Sequence, residues 1–169
     1  MMGRVKRQPL SISSPGDYSN TISAKVADGL VQIHTTNRAH DDLVPRNIMF
    51  DRATGKVRLI DFGLTTRTTS IRVDLIRLAQ VKSFYGKTSS SPIIQRTRDV
   101  YRAAVDRLPG PDRNAAIYQQ NPGLYAKHLS QFEVKKDAMK ANLDNTEFEV
   151  VPTKGNFCSG KYFRRHPNF

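Results

Sequence analysis

One short segment constrains the fold of this chain more than any other: two strand-like runs joined by a tight turn, with acidic or amide side chains at both ends. The runs are Asn47–Phe50 and Lys56–Ile60, and the connection between them, residues 51–55, ends in Gly55. Runs rich in strand-forming residues on either side of a glycine-containing turn predict a β-hairpin. Such a hairpin determines which polar groups meet at its open end.

The polar groups at that open end suit phosphate chemistry. Asp42 lies on the loop just before the first strand, Asn47 begins that strand, and Asp61 follows the second strand. A hairpin therefore brings Asn47 and Asp61 to the same end of two neighbouring strands. Phosphoryl transfer from a nucleotide needs a carboxylate that orients or deprotonates the attacking hydroxyl, and oxygen ligands that hold Mg²⁺. Carboxylate and amide oxygens are the ligands that such a hard cation prefers.

The segments His40–Asn47 and Leu59–Gly63 resemble two motifs of the protein-kinase-like superfamily. These motifs are the catalytic loop His-x-Asp-Leu-x-x-x-Asn and the metal-binding triplet Asp-Phe-Gly. The spacing from Asp42 to Asn47 matches the family, and the spacing from Asn47 to Asp61 is within a residue of it. Because several independent positions agree, the resemblance is specific.

The resemblance implies both the chemistry and its cofactors, which are ATP and Mg²⁺. Asp42 would be the catalytic base, and Asn47 and Asp61 would bind the metal and, through it, the nucleotide. Asp74 resembles the aspartate that begins the buried helix after the activation segment in this superfamily. If so, the activation segment is short and spans residues 64–73.

The other motif residues would support Asp42, Asn47 and Asp61. His40 would be a structural member of the catalytic loop, and Phe62 and Gly63 would set how Asp61 is presented to the nucleotide. Arg46 adds positive charge to the catalytic loop, although the sequence does not fix the direction in which its side chain points.

The sequence also departs from the family. No Gly-x-Gly-x-x-Gly and no Val-Ala-x-Lys occurs before residue 40, and fewer than 20 residues precede the first predicted helix. An N-terminal lobe of five strands and a helix needs more than roughly 60 residues, so we expect that lobe to be missing. Within the catalytic loop, Asp41 replaces the usual Arg and Val44 replaces the usual Lys.

The rest of the chain is predicted to be helical, which makes the fold class mainly α with a small β-hairpin, an α+β arrangement like the C-terminal lobe of a kinase. Helical periodicity covers residues 18–34, 73–84, 95–108 and 124–143. Polar or glycine-containing stretches predict loops over residues 64–70 and 85–92. The predicted regions are a flexible basic arm over 1–17, a kinase-like C-lobe over 18–143 and a basic-aromatic tail over 144–169.

Apolar stripes support the helices, and two further signals accompany them. The stripes run through Ile22, Val26, Leu30 and Ile33 in the first helix, Val100, Ala104 and Leu108 in the third, and Leu124, Leu129 and Phe132 in the last. The stripe of the last helix contains few apolar residues. Pro109–Asp112 predicts the end of the third helix, and Phe148–Val151 is strand-like.

Charge and composition restrict the partners of the chain. The 169 residues, enough for one domain, include 27 Lys or Arg and 15 Asp or Glu, a formal net charge of +12. That excess predicts attraction to polyanions such as a nucleic acid, an acidic membrane surface, a nucleotide or an acidic protein. The single cysteine, Cys158, excludes an internal disulfide bond and a Cys-rich zinc site. Without a long apolar run or a secretory signal, we expect no membrane span and an intracellular location, cytoplasmic or nuclear.

Two functions remain open. The first is a minimal or divergent kinase-like phosphotransferase that moves the γ-phosphate of ATP to a hydroxyl and needs a protein partner to supply or replace the N-lobe. Alternatively, that lobe belongs to a longer product of which this chain is a part. The second is a non-catalytic scaffold of kinase origin, a pseudokinase, that engages an acidic protein or a nucleic acid.

Overall fold

The structure, a computed structural model, describes residues 8–9, 19–51, 53–85 and 90–149. Its helices are α1 (Ser19–His34), α2 (Arg72–Tyr85), α3 (Ser90–Asp106), α4 (Ala116–Gln120) and α5 (Pro122–Asn145). Its strands are β1 (Gln8–Pro9), β2 (Arg38–Ala39), β3 (Ile48–Asp51), β4 (Lys56–Leu59) and β5 (Thr66–Arg67). The predicted fold class, mainly α with a small β-hairpin, is confirmed.

The predicted hairpin is formed by β3 and β4, which pair in antiparallel register from Ile48 opposite Leu59 to Asp51 opposite Lys56. Its turn is held by the Asp51 carboxylate, which accepts hydrogen bonds from Ala53 N at 3.0 Å and Thr54 Oγ1 at 2.7 Å. Gly55 closes the turn with a φ of 65°, a conformation that glycine adopts without steric cost. The sheet is completed by β1, which pairs with the other edge of β3.

A second, two-stranded sheet was not predicted. β5 pairs with β2, with Arg67 opposite Arg38 and Thr66 opposite Ala39, so the loop predicted over residues 64–70 is wrong at these two positions. Thr68 N adds a hydrogen bond to Asn37 O at 3.0 Å. The partner strand lies about thirty residues earlier in the chain, and so short a pairing leaves no periodic pattern in the sequence.

The core forms where α1 packs against α2, α3 and the hairpin. The predicted stripe of α1 is confirmed at Ile22, Val26 and Leu30, which are fully buried, whereas Ile33 is half-buried. Gly29 lets the hairpin approach closely, because a Cβ at this position would lie 3.0 Å from Leu59 Cδ1. The core therefore fixes the position of the hairpin on α1.

The third helix differs from its prediction in extent and in its buried face. α3 begins at Ser90, inside the loop predicted over residues 85–92, and residues 86–89 lie outside the described part. Of the predicted stripe, Ala104 is buried, whereas Val100 and Leu108 are half-buried. The side chains that face the core are Ile93, Thr97, Tyr101, Ala104 and Val105. The buried face is thus rotated by about one residue from the predicted one.

The C-terminal part of the described chain is held to the core at its far end. α4 was not predicted, and the thin stripe predicted for α5 is half-buried at Leu124, Leu129 and Phe132. The buried residues of this region are instead Met139, Leu143 and Phe148, which join the main core. Phe148 and Glu149 form no strand, and the rest of the predicted strand-like piece lies outside the described residues.

The predicted arm, apart from β1, and the tail beyond residue 149 also lie outside the described residues. Among the helices that the structure describes, none combines the length and the apolar character that crossing a membrane requires.

Candidate active site

The catalytic loop predicted around Asp42 is anchored by Asp74, a fully buried carboxylate on the first turn of α2. Asp74 Oδ2 accepts a hydrogen bond from His40 N at 2.8 Å, and Asp74 Oδ1 accepts one from Asp41 N at 2.9 Å. Two successive peptide groups of the loop are therefore bound by one carboxylate. Asp41 has a φ of 63°, an unfavourable backbone conformation that these bonds help to maintain.

The Asp74 carboxylate is also hydrogen-bonded inside the core by His34. His34 Nε2 donates to Asp74 Oδ2 at 2.8 Å, and His34 Nδ1 is 2.7 Å from the hydroxyl of Tyr101, which is buried on α3. Burial by itself raises the pKa of Asp74, but the hydrogen bond and charge of His34, together with the two loop N–H donors, outweigh it and hold that pKa below its usual value. Burial raises the pKa of Tyr101. The network links α1, α2 and α3 to the loop.

His40 connects the catalytic loop to the segment that carries Asp61. Its buried ring donates from Nε2 to Ile60 O at 3.0 Å and accepts from Asp42 N at Nδ1, at 3.2 Å. The ring also packs against Phe62, with 5.2 Å between the ring centroids. These contacts are consistent with the structural role expected for His40.

Asp42 and Asn47 lie side by side. Asn47 Nδ2 donates to Asp42 Oδ2 at 3.0 Å and to the backbone oxygen of Asp42 at 2.8 Å. Both N–H bonds of this buried amide are thereby used, which directs its other polar atom, Oδ1, away from Asp42. The direction of the Arg46 side chain, which the sequence left open, is toward Asp42: Arg46 Nη2 lies 3.5 Å from Asp42 Oδ2.

Asp61 is placed at the same end of the hairpin by the pairing of the two strands. Ile60 N donates to Asn47 O at 2.9 Å, so the strands remain joined up to the residue before Asp61. The Asp61 side chain is exposed and its φ is 61°. Gly63 N donates to Asp61 Oδ1 at 3.3 Å, and this hydrogen bond orients the Asp61 carboxylate at the start of the following loop.

The donor set at this end of the hairpin fits a hard cation bound together with phosphate. Asn47 Oδ1 and the exposed carboxylate of Asp61 are an amide oxygen and a carboxylate, and Mg²⁺ is typically held by one or two such groups plus substrate phosphates and water. In the part of the chain that the structure describes, no group of three or more His, Cys, Asp or Glu residues is arranged to hold a metal. Asn47 and Asp61 would leave the rest of the octahedral coordination of Mg²⁺ to phosphate or water oxygens.

A cleft lies beside these residues and not over them. It has a volume of about 800 Å³ and is lined by α1, the hairpin and Thr65, and Phe62 is the one residue of the two motifs that borders it. Phe62 is half exposed, at 50%, and the neighbouring Leu64 is 59% exposed. Asp42, Asn47 and Asp61, the residues predicted to carry the chemistry, are not among those that line the cleft, which is therefore a separate feature.

Comparison with known families agrees with this geometry. Residues 7–86 match the family model of the protein kinase domain. Over these residues the chain is protein-kinase-like. The matched region contains both motifs, Asp74 and the two sheets, and proteins of this family generally use ATP and Mg²⁺. No curated protein matches the chain significantly.

The substitution at Asp41 has a structural role in this kinase-like chain. The Asp41 carboxylate accepts a hydrogen bond from the hydroxyl of Thr66, on β5. Where most protein kinases carry an arginine that can bind a phosphorylated residue, this chain has an acidic side chain that binds an unmodified threonine. The other substituted position, Val44, is buried in the core.

Two residues of the network, His34 and Tyr101, had no predicted role in the site. His34 stands at the end of the helix before the catalytic loop, but Tyr101 lies on α3, 67 residues from His34. Tyr101 stands between Arg98 and Arg102 in the sequence, which made an exposed position as plausible as a buried one. Only the packing of α3 on α1 shows that its hydroxyl faces His34.

Proposed function

We propose that the chain is a kinase-like phosphotransferase that moves the γ-phosphate of ATP to a hydroxyl group. Asp42 is the base, and Asn47 and Asp61 hold Mg²⁺ against the phosphates. The observation that carries this proposal is the pairing of Asp42 with Asn47 on a loop that the buried Asp74 anchors, beside the strand end that carries Asp61.

Each residue has a defined task in the proposed reaction. Asp42 Oδ accepts the proton of the acceptor hydroxyl as its oxygen attacks the γ-phosphorus, and the bond from phosphorus to the bridging oxygen of ADP breaks. Asn47 keeps the Asp42 carboxylate in place through its Nδ2 hydrogen bond. Asn47 and Asp61 would hold Mg²⁺, whose charge would offset that of the phosphates. Arg46, 3.5 Å from Asp42, contributes a positive charge beside the base.

The phosphate-covering loop and the phosphate-pairing lysine of protein kinases have no counterpart in the printed sequence. We assign these groups to another polypeptide segment, either a protein partner or a further part of a longer product. Positioning of both reactants supplies a large part of the rate enhancement in such reactions. The chain by itself should therefore bind Mg-ATP weakly, with turnover that rises when the missing segment is added.

The test is Mg²⁺-dependent ATP binding and turnover by the wild-type chain, alone and with candidate partners. Asp61→Ala should remove the Mg²⁺ dependence of binding, and Asp42→Asn should retain binding while lowering turnover by about 10²–10⁴-fold, the usual contribution of a general base. Asp137→Ala, an exposed carboxylate on α5, is the matched control and should change neither. Binding that Asp61→Ala leaves unchanged would refute the site assignment.

A second candidate function, a non-catalytic scaffold, is favoured by the exposure of Phe62 and Leu64. Two large apolar side chains at the motif suggest a surface that a partner covers. For a scaffold, the partner should bind the Asp61→Ala variant as tightly as the wild type, and Mg-ATP should not bind to the complex. Phosphate transfer by the complex would exclude this alternative.

A further inference from the structure

The cleft of about 800 Å³ beside Phe62 has two unlike walls. One wall is a stripe of α1 that includes Gly29 and Ile33, and the other is the whole of β4. Neither wall contributes Asp42, Asn47 or Asp61, so the cleft is distinct from the candidate active site while reaching the exposed Phe62. What this cleft can bind follows from the free edge of β4 and from its charges.

Within the described residues, β4 is an edge strand. The sheet order is β1-β3-β4, so β3 is its one partner. Peptide groups along an antiparallel strand point alternately toward each neighbour. Phe50 of β3 lies opposite Gln8 of β1 on one side and opposite Val57 of β4 on the other. Just after β4, Ile60 N donates to Asn47 O and therefore points toward the first strand of the hairpin. The peptide groups of Val57 and Leu59 consequently point away from β3, toward the open edge.

The charges along this edge are positive. Arg38, Lys56 and Arg58 line the cleft, are exposed, and make no ion pair within the described part of the chain. The two carboxylates in the lining are already engaged: Asp28 pairs with Arg107 at 2.8 Å, and Asp51 holds the hairpin turn. Within the described residues, the cleft therefore presents a free strand edge flanked by cations that make no ion pair.

These charges argue against two occupants from the chain itself. The terminal stretches, residues 1–18 and 150–169, carry seven Lys or Arg and one Asp, so neither complements the cleft. A second copy that paired through β4 would bring its own Lys56 and Arg58 against the same residues, and like charges on paired strands are unfavourable. Charge complementarity points instead to an acidic segment of a different protein.

We propose that this cleft binds an extended, acidic segment of a partner protein, which pairs with the free edge of β4. Backbone hydrogen bonds to Val57 and Leu59 would supply affinity, as in other cases of strand addition. Acidic side chains of the segment lie near Lys56 and Arg58, and alternate apolar side chains face the α1 wall at Ile33. The proposal does not depend on phosphoryl transfer, since none of the proposed catalytic or metal-binding residues takes part.

The probe is a fluorescent peptide of about eight residues with alternating Glu and Val, a length typical of strands, and binding is followed by fluorescence anisotropy without nucleotide. Two further peptides carry N-methyl groups on the backbone at every Val or at every Glu. Only one set of peptide groups faces β4, so one methylated peptide should bind like the parent and the other should lose at least about tenfold in affinity.

The variant Lys56→Glu with Arg58→Glu should weaken binding of the parent peptide by at least about tenfold. The matched control is Lys127→Glu with Lys135→Glu, which makes the same change in net charge on exposed positions of α5 and should leave affinity unchanged. Circular dichroism verifies that both variants retain the wild-type fold, as expected for changes of exposed side chains.

Three results would overturn the proposal. Equal loss of affinity in both double variants would mean that only net charge matters, and equal binding of the two methylated peptides would exclude strand pairing. A single-stranded oligonucleotide that displaces the peptide, and whose binding is lost in Lys56→Glu with Arg58→Glu, would assign the surface to a nucleic acid. Loss of Mg-ATP binding in Asp61→Ala tests the proposed function separately.

Discussion

At the scale of single residues, the fully buried carboxylate of Asp74 determines the shape of the catalytic loop. A buried charge is tolerated when it is paired and its oxygen atoms are hydrogen-bonded. Asp74 meets both conditions through His34 and the N–H groups of His40 and Asp41. These donors come from α1 and the loop, so the carboxylate joins two separate segments to α2.

Asp74→Asn should destabilise the protein by about 3 kcal/mol, because breaking a buried pair leaves the other partner without compensation. An asparagine keeps one acceptor oxygen but places an NH₂ group against an N–H donor. Urea unfolding at neutral pH measures the loss. A change of less than about 0.5 kcal/mol, the range typical of surface substitutions, would contradict the role assigned to Asp74.

The lowered pKa of Asp74 also predicts how stability depends on pH. Because its pKa in the folded state lies below the unfolded value of about 3.9, the carboxylate contributes stability above that pH, and the contribution is lost as the pH falls through the folded pKa. Urea unfolding from about pH 3 to 7 should show a steeper acid loss for the wild type than for Asp74→Asn. Parallel curves would show that Asp74 titrates alike in both states.

Two tyrosines that each bind a histidine allow a matched comparison. Tyr101→Phe removes the hydroxyl 2.7 Å from His34 Nδ1 in the core, which leaves a buried nitrogen without a partner and should cost about 1–3 kcal/mol. Tyr118→Phe removes the hydroxyl 2.8 Å from His128 Nδ1, but this pair is half-buried and water can replace the bond. Urea unfolding should therefore show a smaller loss for Tyr118→Phe, and equal losses would contradict the argument.

The difference between local and distant partners explains what could be predicted at this scale. Asp42, Asn47 and Asp61 could be predicted as a site because a hairpin and a fixed spacing along the chain relate them, and both signals are local. Tyr101 was missed because its partner, His34, is 67 residues away and its own neighbours in the sequence are charged. Tertiary packing places it, and a single sequence does not encode that packing in a readable pattern.

At the scale of elements, helical periodicity predicted α1 well and α3 less well. The predicted stripe of α1 consists of aliphatic residues, which make up most of its buried face beside Ser23 and His34, whereas the centre of the buried face of α3 is formed by Thr97 and Tyr101. Thr97 satisfies its hydroxyl within the helix, by donating to Ile93 O at 2.7 Å. Threonine and tyrosine find hydrogen-bond partners for their hydroxyl groups once the chain has folded, and they can then be buried. A prediction from apolar positions alone leaves them out, and it therefore placed the buried face of α3 about one residue away from the observed one.

Arg98 on α3 attaches the end of α5, and its removal gives a prediction at this scale. Its guanidinium donates to Leu143 O at 2.6 Å and Thr146 O at 2.7 Å, and it lies 5.2 Å from the ring centroid of Phe148. Arg98→Met should cost about 2 kcal/mol, as expected for charge-assisted hydrogen bonds. Hydrogen exchange should increase most in residues 143–149.

Arg102 supplies the matched control for that prediction. It lies one turn further along α3 and pairs with Asp144 on α5, but both side chains are largely exposed. An exposed ion pair contributes at most about 1 kcal/mol, so Arg102→Met should change stability little and leave hydrogen exchange in residues 143–149 unaltered. If the two variants behaved alike, the attachment would not depend on the carbonyl contacts of Arg98.

At the scale of the whole molecule, the residues that match the family model and the residues that form the hydrophobic core cover different parts of the chain. The kinase-like region ends at residue 86, yet the core that holds α1 and α2 also contains Tyr101, Val105 and Leu143. The candidate active site thus lies within the matched region, while part of the packing that supports it lies beyond that region. α3 packs against both α1 and α2.

A chain that ends at residue 89 should consequently fail to fold, although it contains the catalytic loop, the hairpin and Asp74. Its loss of α3 would expose the apolar side chains of α1 and α2 that α3 covers, and remove the Tyr101 hydroxyl from His34. Each large apolar side chain exposed costs about 1.5–3 kcal/mol, so exposing several of them costs as much as the roughly 5–15 kcal/mol by which domains are stable. The full chain should unfold cooperatively in urea and the shortened chain should show no transition; cooperative unfolding of both would mean that the kinase-like region is a folding unit without α3.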